Sequence, residues 1–231
     1  MAIAAHQDDI EIMAYHGIEA CFQSNDSYFL GCVVTNGGGS ARDDIYKNYS
    51  DEEMIQVRRK EQLKAAVLGE FGALVLLDHP SSEVKSKTDE NIEKELKELI
   101  EESQPEIIYT HNLADKHDTH IGVVTKVIKA IRSLPKDKRP KQLLGCEVWR
   151  NLDWVNDDEK VFLDVSGHPN LAASLVEIFD SQIIGGKRYD LATIGRRLAN
   201  ATFNASHAVD ESNALIYAGD LTPIIKDDSR D

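Results

Sequence analysis

MAIAAHQDDIEIMAYHG, Met1 to Gly17, is the stretch on which the fold turns. The apolar run Met1–Ala5 has the length of a short buried strand. From Ile10 to Phe22 the residues Ile10, Met13, Ala14 and Ile18 recur at helical spacing. His6, Asp8 and Asp9 stand between the two, where the strand gives way to the helix. Adjacent acids at a helix start can act simply as caps that favour its positive end. A histidine and two carboxylates at a strand end also supply the means for metal or acid–base chemistry.

The same alternation continues outward. Tyr28–Thr35 (YFLGCVVT) reads as a buried strand that empties into NGGGSARDDIYKNYS, a polar, glycine-rich loop. A helix is expected over Glu52–Phe71, where Ile55, Leu63, Ala66 and Val67 recur, and a strand over Leu74–Leu77. Asp89–Glu102 reads as a helix, Glu106–Thr110 as a strand and Thr119–Ser133 as a long helix. LPKDKRPKQ (Leu134–Gln142) is a surface turn. Strands follow at Leu144–Trp149 and Val161–Val165, with helices near Asn170–Ile183 and Leu191–Asn200. The last thirty residues carry no clear pattern. This order predicts an α/β fold: a mostly parallel sheet with helices on both faces.

The length of 231 residues suits one domain, with the residues after about 185 as a C-terminal extension. A hydrophobic share of 42% is enough for a core, and the net charge of −14 speaks against a nucleic-acid partner. Cys21, Cys32 and Cys146 form no CxxC pair, which fits a reducing compartment. No apolar stretch approaches membrane-spanning length. The expectation is a soluble, cytoplasmic protein with no membrane partner, acting alone or as a homo-oligomer.

In an open parallel sheet, ligands gather beyond the carboxyl ends of the strands. The first loop carries His6, Asp8 and Asp9, and the second is glycine-rich. His79 follows the third strand. HNLADKHDTH, with His111, Asp115, His117, Asp118 and His120, follows the fourth. His117 and His120 are three apart, as are His6 and Asp9, so a helical turn brings each pair to one side. One imidazole and one carboxylate from the first loop, with one histidine from the second, make three protein ligands and leave a position open, as catalytic zinc requires. A carboxylate must also take a proton from the attacking water. Asp8 suits that task, although spacing alone lets Asp8 and Asp9 exchange roles.

At these residues the chain resembles the PIG-L/LmbE-type superfamily of zinc-dependent N-deacetylases. Its A-H-P-D-D motif stands here as AHQDD and its H-x-D-H motif as HDTH. VVTNGGGS, VRRKEQLKAAVLGEF with its R-x-x-E, and FDSQI are weaker likenesses, and together they span Ile3 to Gln182. The resemblance implies a Rossmann-like three-layer fold and hydrolysis of an N-acetylated amino sugar or related amide. It implies Zn2+ as the metal, with Fe2+ as another divalent candidate, held by His6, Asp9 and His120. Asp8 matches the general base, His117 the residue that stabilises the oxyanion and protonates the amine, and Arg58 a substrate contact. Gln7 replaces the usual proline. Thr119 replaces the acid of H-x-D-H, which leaves Asp115 or Asp118 to orient His117.

Trp149 and Arg150, in VWRNLDWV, offer an aromatic face and polar groups for a sugar-like substrate, and tryptophans also serve as packing. Two rival readings remain from the residues: an HD-type metal phosphohydrolase built on His117-Asp118, which would be helical throughout, and a non-catalytic sugar-binding relative. Arg42 stands where a dinucleotide-binding glycine motif needs its last glycine.

Overall fold

The computed structural model describes residues 1–229 apart from 87, 89, 203, 205 and 206. The strands are β1 (Ala2–Ala4), β2 (Leu30–Thr35), β3 (Ala73–His79), β4 (Ile107–His111), β5 (Gln142–Cys146), β6 (Lys160–Asp164) and β7 (Leu215–Asp220). The helices up to the middle of the chain are α1 (Asp9–Met13), α2 (Tyr15–Cys21), α3 (Asp51–Leu68), α4 (Ser81–Val84) and α5 (Asn91–Ser103). They are followed by α6 (Asp118–Arg132), α7 (Pro169–Glu177), α8 (Asp180–Ile183), α9 (Tyr189–Thr202) and α10 (Thr222–Lys226).

The strands form one sheet in the order β3-β2-β1-β4-β5-β7-β6. β1 to β5 pair in parallel, and β7 runs antiparallel to both β5 and β6. This is an α/β, Rossmann-like arrangement, and its seven strands exclude the all-helical HD architecture. Alternate side chains along β1 and the following Ala5 enter opposite cores. Ala2 and Ala4 pack with Ile10, Met13 and Leu175, whereas Ile3 and Ala5 pack with Ile92, Leu96 and Val127. Burial on both faces explains why the parallel strands read as continuous apolar runs.

The chain leaves β1 toward β2 and β3 on one side and later returns to β4 and β5 on the other. The strand order therefore reverses between β1 and β4, where a crevice opens beyond their carboxyl ends.

Several boundaries differ from the sequence expectation. The helix expected over Ile10–Phe22 breaks at Ala14 into α1 and α2. Buried Arg197 donates to the Glu11 and Ile12 carbonyls (2.7 and 3.1 Å), the two that a continuous helix would offer to Tyr15 and His16. The segment Asn170–Ile183 is likewise two helices, α7 and α8. The strand expected to reach Trp149 ends at Cys146, and the Trp149 N–H turns to Asp115 Oδ2 (3.3 Å). Asp89, expected to begin a helix, lies outside the described residues, and α5 opens at Asn91. β3 continues to His79, whose ring bonds Glu83 (2.8 Å) and Glu95 (2.6 Å) rather than joining the other histidines. The unpatterned C-terminal residues supply β7, a strand inside the main sheet.

Candidate active site

Bonds from neighbouring strand ends build the turn after β1. The Ala5 N–H donates to His111 Nε2 at the end of β4 (2.9 Å), and the Ala5 carbonyl accepts from the Thr35 N–H at the end of β2 (2.9 Å). Gln7 sends its side-chain amide to the Thr35 carbonyl (2.9 Å), which tethers the turn to the end of β2. Gly37, at φ 78°, passes so near that a Cβ would lie 2.6 Å from Gln7 Oε1. Asp8 itself has φ 94°, a left-handed value that costs energy for a side-chain-bearing residue. Buried partners hold it there: Gln62 Oε1 accepts its N–H (3.3 Å), and Arg58 Nη2 donates to its Oδ2 (2.8 Å).

Three donor atoms converge beside this turn. His6 Nδ1 lies 3.2 Å from Asp9 Oδ2 and 3.2 Å from His120 Nε2, and His120 Nε2 lies 3.4 Å from Asp9 Oδ2. An ion bonded to each at about 2.0–2.1 Å would need a tetrahedral face with edges of about 3.3 Å. Two imidazoles and a carboxylate are also the donor types that zinc and similar divalent ions prefer. The donor set therefore fits such an ion. Two overlapping groups, His6/His117/His120 and Asp9/His111/His120, bring ligand atoms within 4.8 Å of one another and share His120.

The surrounding groups fix this geometry. Asp115 Oδ2 holds His120 Nδ1 (3.2 Å), which turns Nε2 toward His6 and Asp9. Asp115 Oδ1 accepts the His117 N–H (3.0 Å) at the start of α6. His111 stacks on His120 with ring centroids 3.9 Å apart. His117 meets His6 edge to face at 4.9 Å, and its Nδ1 is buried without a partner.

Charge is divided unequally here. Burial pushes the Asp8 carboxyl up to about 7 despite Arg58 beside it. Burial acts on Asp9 in the same sense, yet His120 and His6 hold it well below the usual carboxylate range. Burial would lower His120, but Asp9 and Asp115 raise it to about 9. His117 is pushed down to about 4 by burial and by the neighbouring His120 and His6. Adjacent Asp8 and Asp9 thus differ sharply in proton affinity.

A model of the family described as "PIG-L: GlcNAc-PI de-N-acetylase" matches residues 1–131. The chain belongs to the PIG-L family. Comparison with curated proteins yields no match. Among solved structures, the chain is similar to the N,N'-diacetylchitobiose deacetylase of Pyrococcus horikoshii at 15% identity and a TM-score of 0.68, over 94% of this chain and 82% of that one. It is similar to the 4-carboxy-2-hydroxymuconate hydratase GalB of Pseudomonas putida at 16% identity and TM-score 0.69, over 95% and 94%. A conserved protein of Thermus thermophilus, TT1542, gives 14% identity and TM-score 0.71, over 100% and 97%. These likenesses establish the fold.

In this PIG-L chain a cavity of about 500 Å³ opens over the donor atoms, lined by His6, Asp8, Asp9, Arg58, His117 and Trp149 among others. Arg58 reaches the cavity wall, but its guanidinium is occupied by Asp8, the Gln7 carbonyl and Glu61 (3.0 Å). Arg150 is exposed, with its guanidinium 5.5 Å over the Trp154 ring, and is not among the lining residues. Asp118 is exposed in the first turn of α6 and lines a separate groove with Lys126 and Lys129. Asp115, not Asp118, touches the histidines.

Sequence reading missed Lys187 and Tyr189, and it gave His111, Glu61 and Ser181 no role although the motifs that hold them were in view. His111 closes an apolar strand, and its burial beneath His120 had no local signal. Glu61 was visible as the acid of R-x-x-E. It binds Arg58 and also accepts from the Ser181 N–H (2.7 Å) and Oγ (2.8 Å).

Proposed function

We propose that this PIG-L family member is a divalent-metal hydrolase that removes an acetyl group from an N-acetylated amino sugar or related amide. The His6–Asp9–His120 triangle, with Asp8 and His117 beside it, carries this reading. His6, Asp9 and His120 would hold the ion, with zinc first and Fe2+ as another candidate. Such an ion supplies a water of lowered pKa and polarises the amide carbonyl.

The chain's own residues do the rest. Asp8 takes a proton as water attacks the acyl carbon, and its raised proton affinity suits transfer near neutral pH. Arg58 keeps its carboxylate aimed, and Gln62 holds its backbone N–H. His117, held through its N–H by Asp115, donates toward the oxygen that gains negative charge. A proton passed to nitrogen, from His117 or from loaded Asp8, releases the amine and acetate. Trp149 offers a ring face for the sugar, with Lys187 Nζ at 5.0 Å and Lys116 Nζ at 5.8 Å from its centroid.

The test is release of primary amine from a panel of N-acetylated amino sugars, with zinc added and then chelated. Turnover that chelation abolishes supports the proposal. In Asp8→Ala, metal should remain bound while turnover falls by at least about a hundredfold; full activity there would remove Asp8 from the mechanism. Bound zinc with a silent panel would cut the reading back to a hydrolase of some other amide.

A further inference from the structure

A second recess, of about 140 Å³, opens beside the main cavity. Asp8, Asp9, Trp149 and Tyr189 line both spaces, so the two meet at the same carboxylates. Trp149 and Tyr189 stand edge to face, with centroids 6.1 Å apart and planes at 87°, and form the wall they share.

The chemistry differs across that wall. The main cavity presents Ser40, Gln182 and Lys187, whereas the recess adds the hydrocarbon of Ile12, Val148 and Ala192, with Thr193 and Arg196 as its further polar lining. An N-acylated amino sugar divides in the same way. Its nitrogen side is a hydroxylated ring, and its carbonyl side is a hydrocarbon tail. The methyl of an acetyl group is about the size of a water molecule, whose share of liquid volume is about 30 Å³. It would leave most of the recess unfilled.

Resting on the hydrolase reading above, we infer that the recess is an acyl pocket and that the enzyme accepts acyl groups longer than acetyl, such as propionyl and butyryl. The step itself is unchanged. The water oxygen bonds to the acyl carbon, and the C–N bond breaks with its electron pair on nitrogen. Nitrogen takes a proton, and the acyl group leaves as a carboxylate. Added methylenes find apolar contact in the recess, where a pocket closed behind the methyl would reject them.

The experiment compares kcat/KM for N-acetyl-, N-propionyl- and N-butyryl-glucosamine on the zinc-loaded full chain. Longer substrates within about tenfold of acetyl support the acyl pocket, and a butyryl substrate slower than that overturns it, since one excess methylene in a closed pocket costs roughly 10–200-fold. Ala192→Phe, on the recess side of α9, should lower the butyryl-to-acetyl ratio by about tenfold or more; an unchanged ratio overturns the assignment. Should that variant fail to fold, inhibition of the wild-type chain by acetate and butyrate decides, with butyrate expected to bind more tightly and equal or weaker binding overturning the inference. Turnover of the acetyl substrate alone defeats only the acyl pocket. Silence on all three defeats the amino-sugar reading on which the acyl pocket rests.

Discussion

Arg58 Nη2 and Asp8 Oδ2 form a buried ion pair at 2.8 Å, and Glu61 holds the other arm of the same guanidinium at 3.0 Å. One cation therefore serves two buried carboxylates, from the β1–α1 turn and from α3. Removing it leaves both without their charge partner. Arg58→Met is expected to destabilise the fold by about 3–5 kcal/mol, measured by urea unfolding. Activity per folded molecule should also fall, because Asp8 loses the group that aims it. A variant of wild-type stability and activity would contradict both roles.

Asp115 and Asp118 separate cleanly. Asp115 holds His120 Nδ1 and the His117 N–H, whereas Asp118 is exposed and touches neither. Asp115→Asn is expected to weaken zinc binding by about 10–100-fold, read by competition with a chromogenic chelator. Asp118→Asn should leave zinc affinity at the wild-type value. Equal effects would mean that the acid supporting His120 has been misplaced.

His111 accepts the Ala5 N–H at 2.9 Å and lies flat beneath His120. His111→Ala orphans that buried N–H and opens a gap under a proposed ligand. The unmade bond alone should cost about 1–3 kcal/mol, visible as a lower unfolding midpoint. A further loss of zinc affinity is expected, because the ring that backs His120 is gone.

His79 links β3 to α4 and α5 through Glu83 and Glu95. Burial would lower its pKa, but the bonds to Glu95 and Glu83 raise it above the ordinary histidine value. A raised folded-state pKa contributes stability that is fully present below the unfolded value of about 6.5 and is lost as pH rises through the folded value. The stability gap between wild type and His79→Gln should therefore be wider at about pH 6 than at about pH 9. A gap independent of pH would show that the ring is not charged in these pairs.

The sheet was legible because buried parallel strands leave short apolar runs such as Met1–Ala5 and Tyr28–Thr35, and helices between them leave a different period. The AHQDD and HDTH clusters were legible because strand order brings their loops to one sheet edge. Long-range bonds were not. The break at Ala14 depends on Arg197, far along the chain, and local periodicity cannot register it. Arg58 read as a substrate contact because the resemblance gives the arginine of R-x-x-E that role, but its carboxylate partner Asp8 comes from a turn fifty residues earlier. Trp149 and Tyr189 meet only in space.

β7 lies between β5 and β6, and the Glu147 carboxylate at the root of the Trp149 loop binds the Tyr217 N–H on β7 (3.1 Å) and Asn200 on α9 (2.6 Å). During synthesis, β6 emerges from the ribosome before the strand it pairs with has been made. The tryptophan loop likewise waits for anchors that are translated later. Early segments can assemble the sheet edge bearing the histidines, but the cavity wall acquires its shape only as the final portion arrives. Nascent chains stalled before residue 215 would consequently expose an unfinished sheet margin.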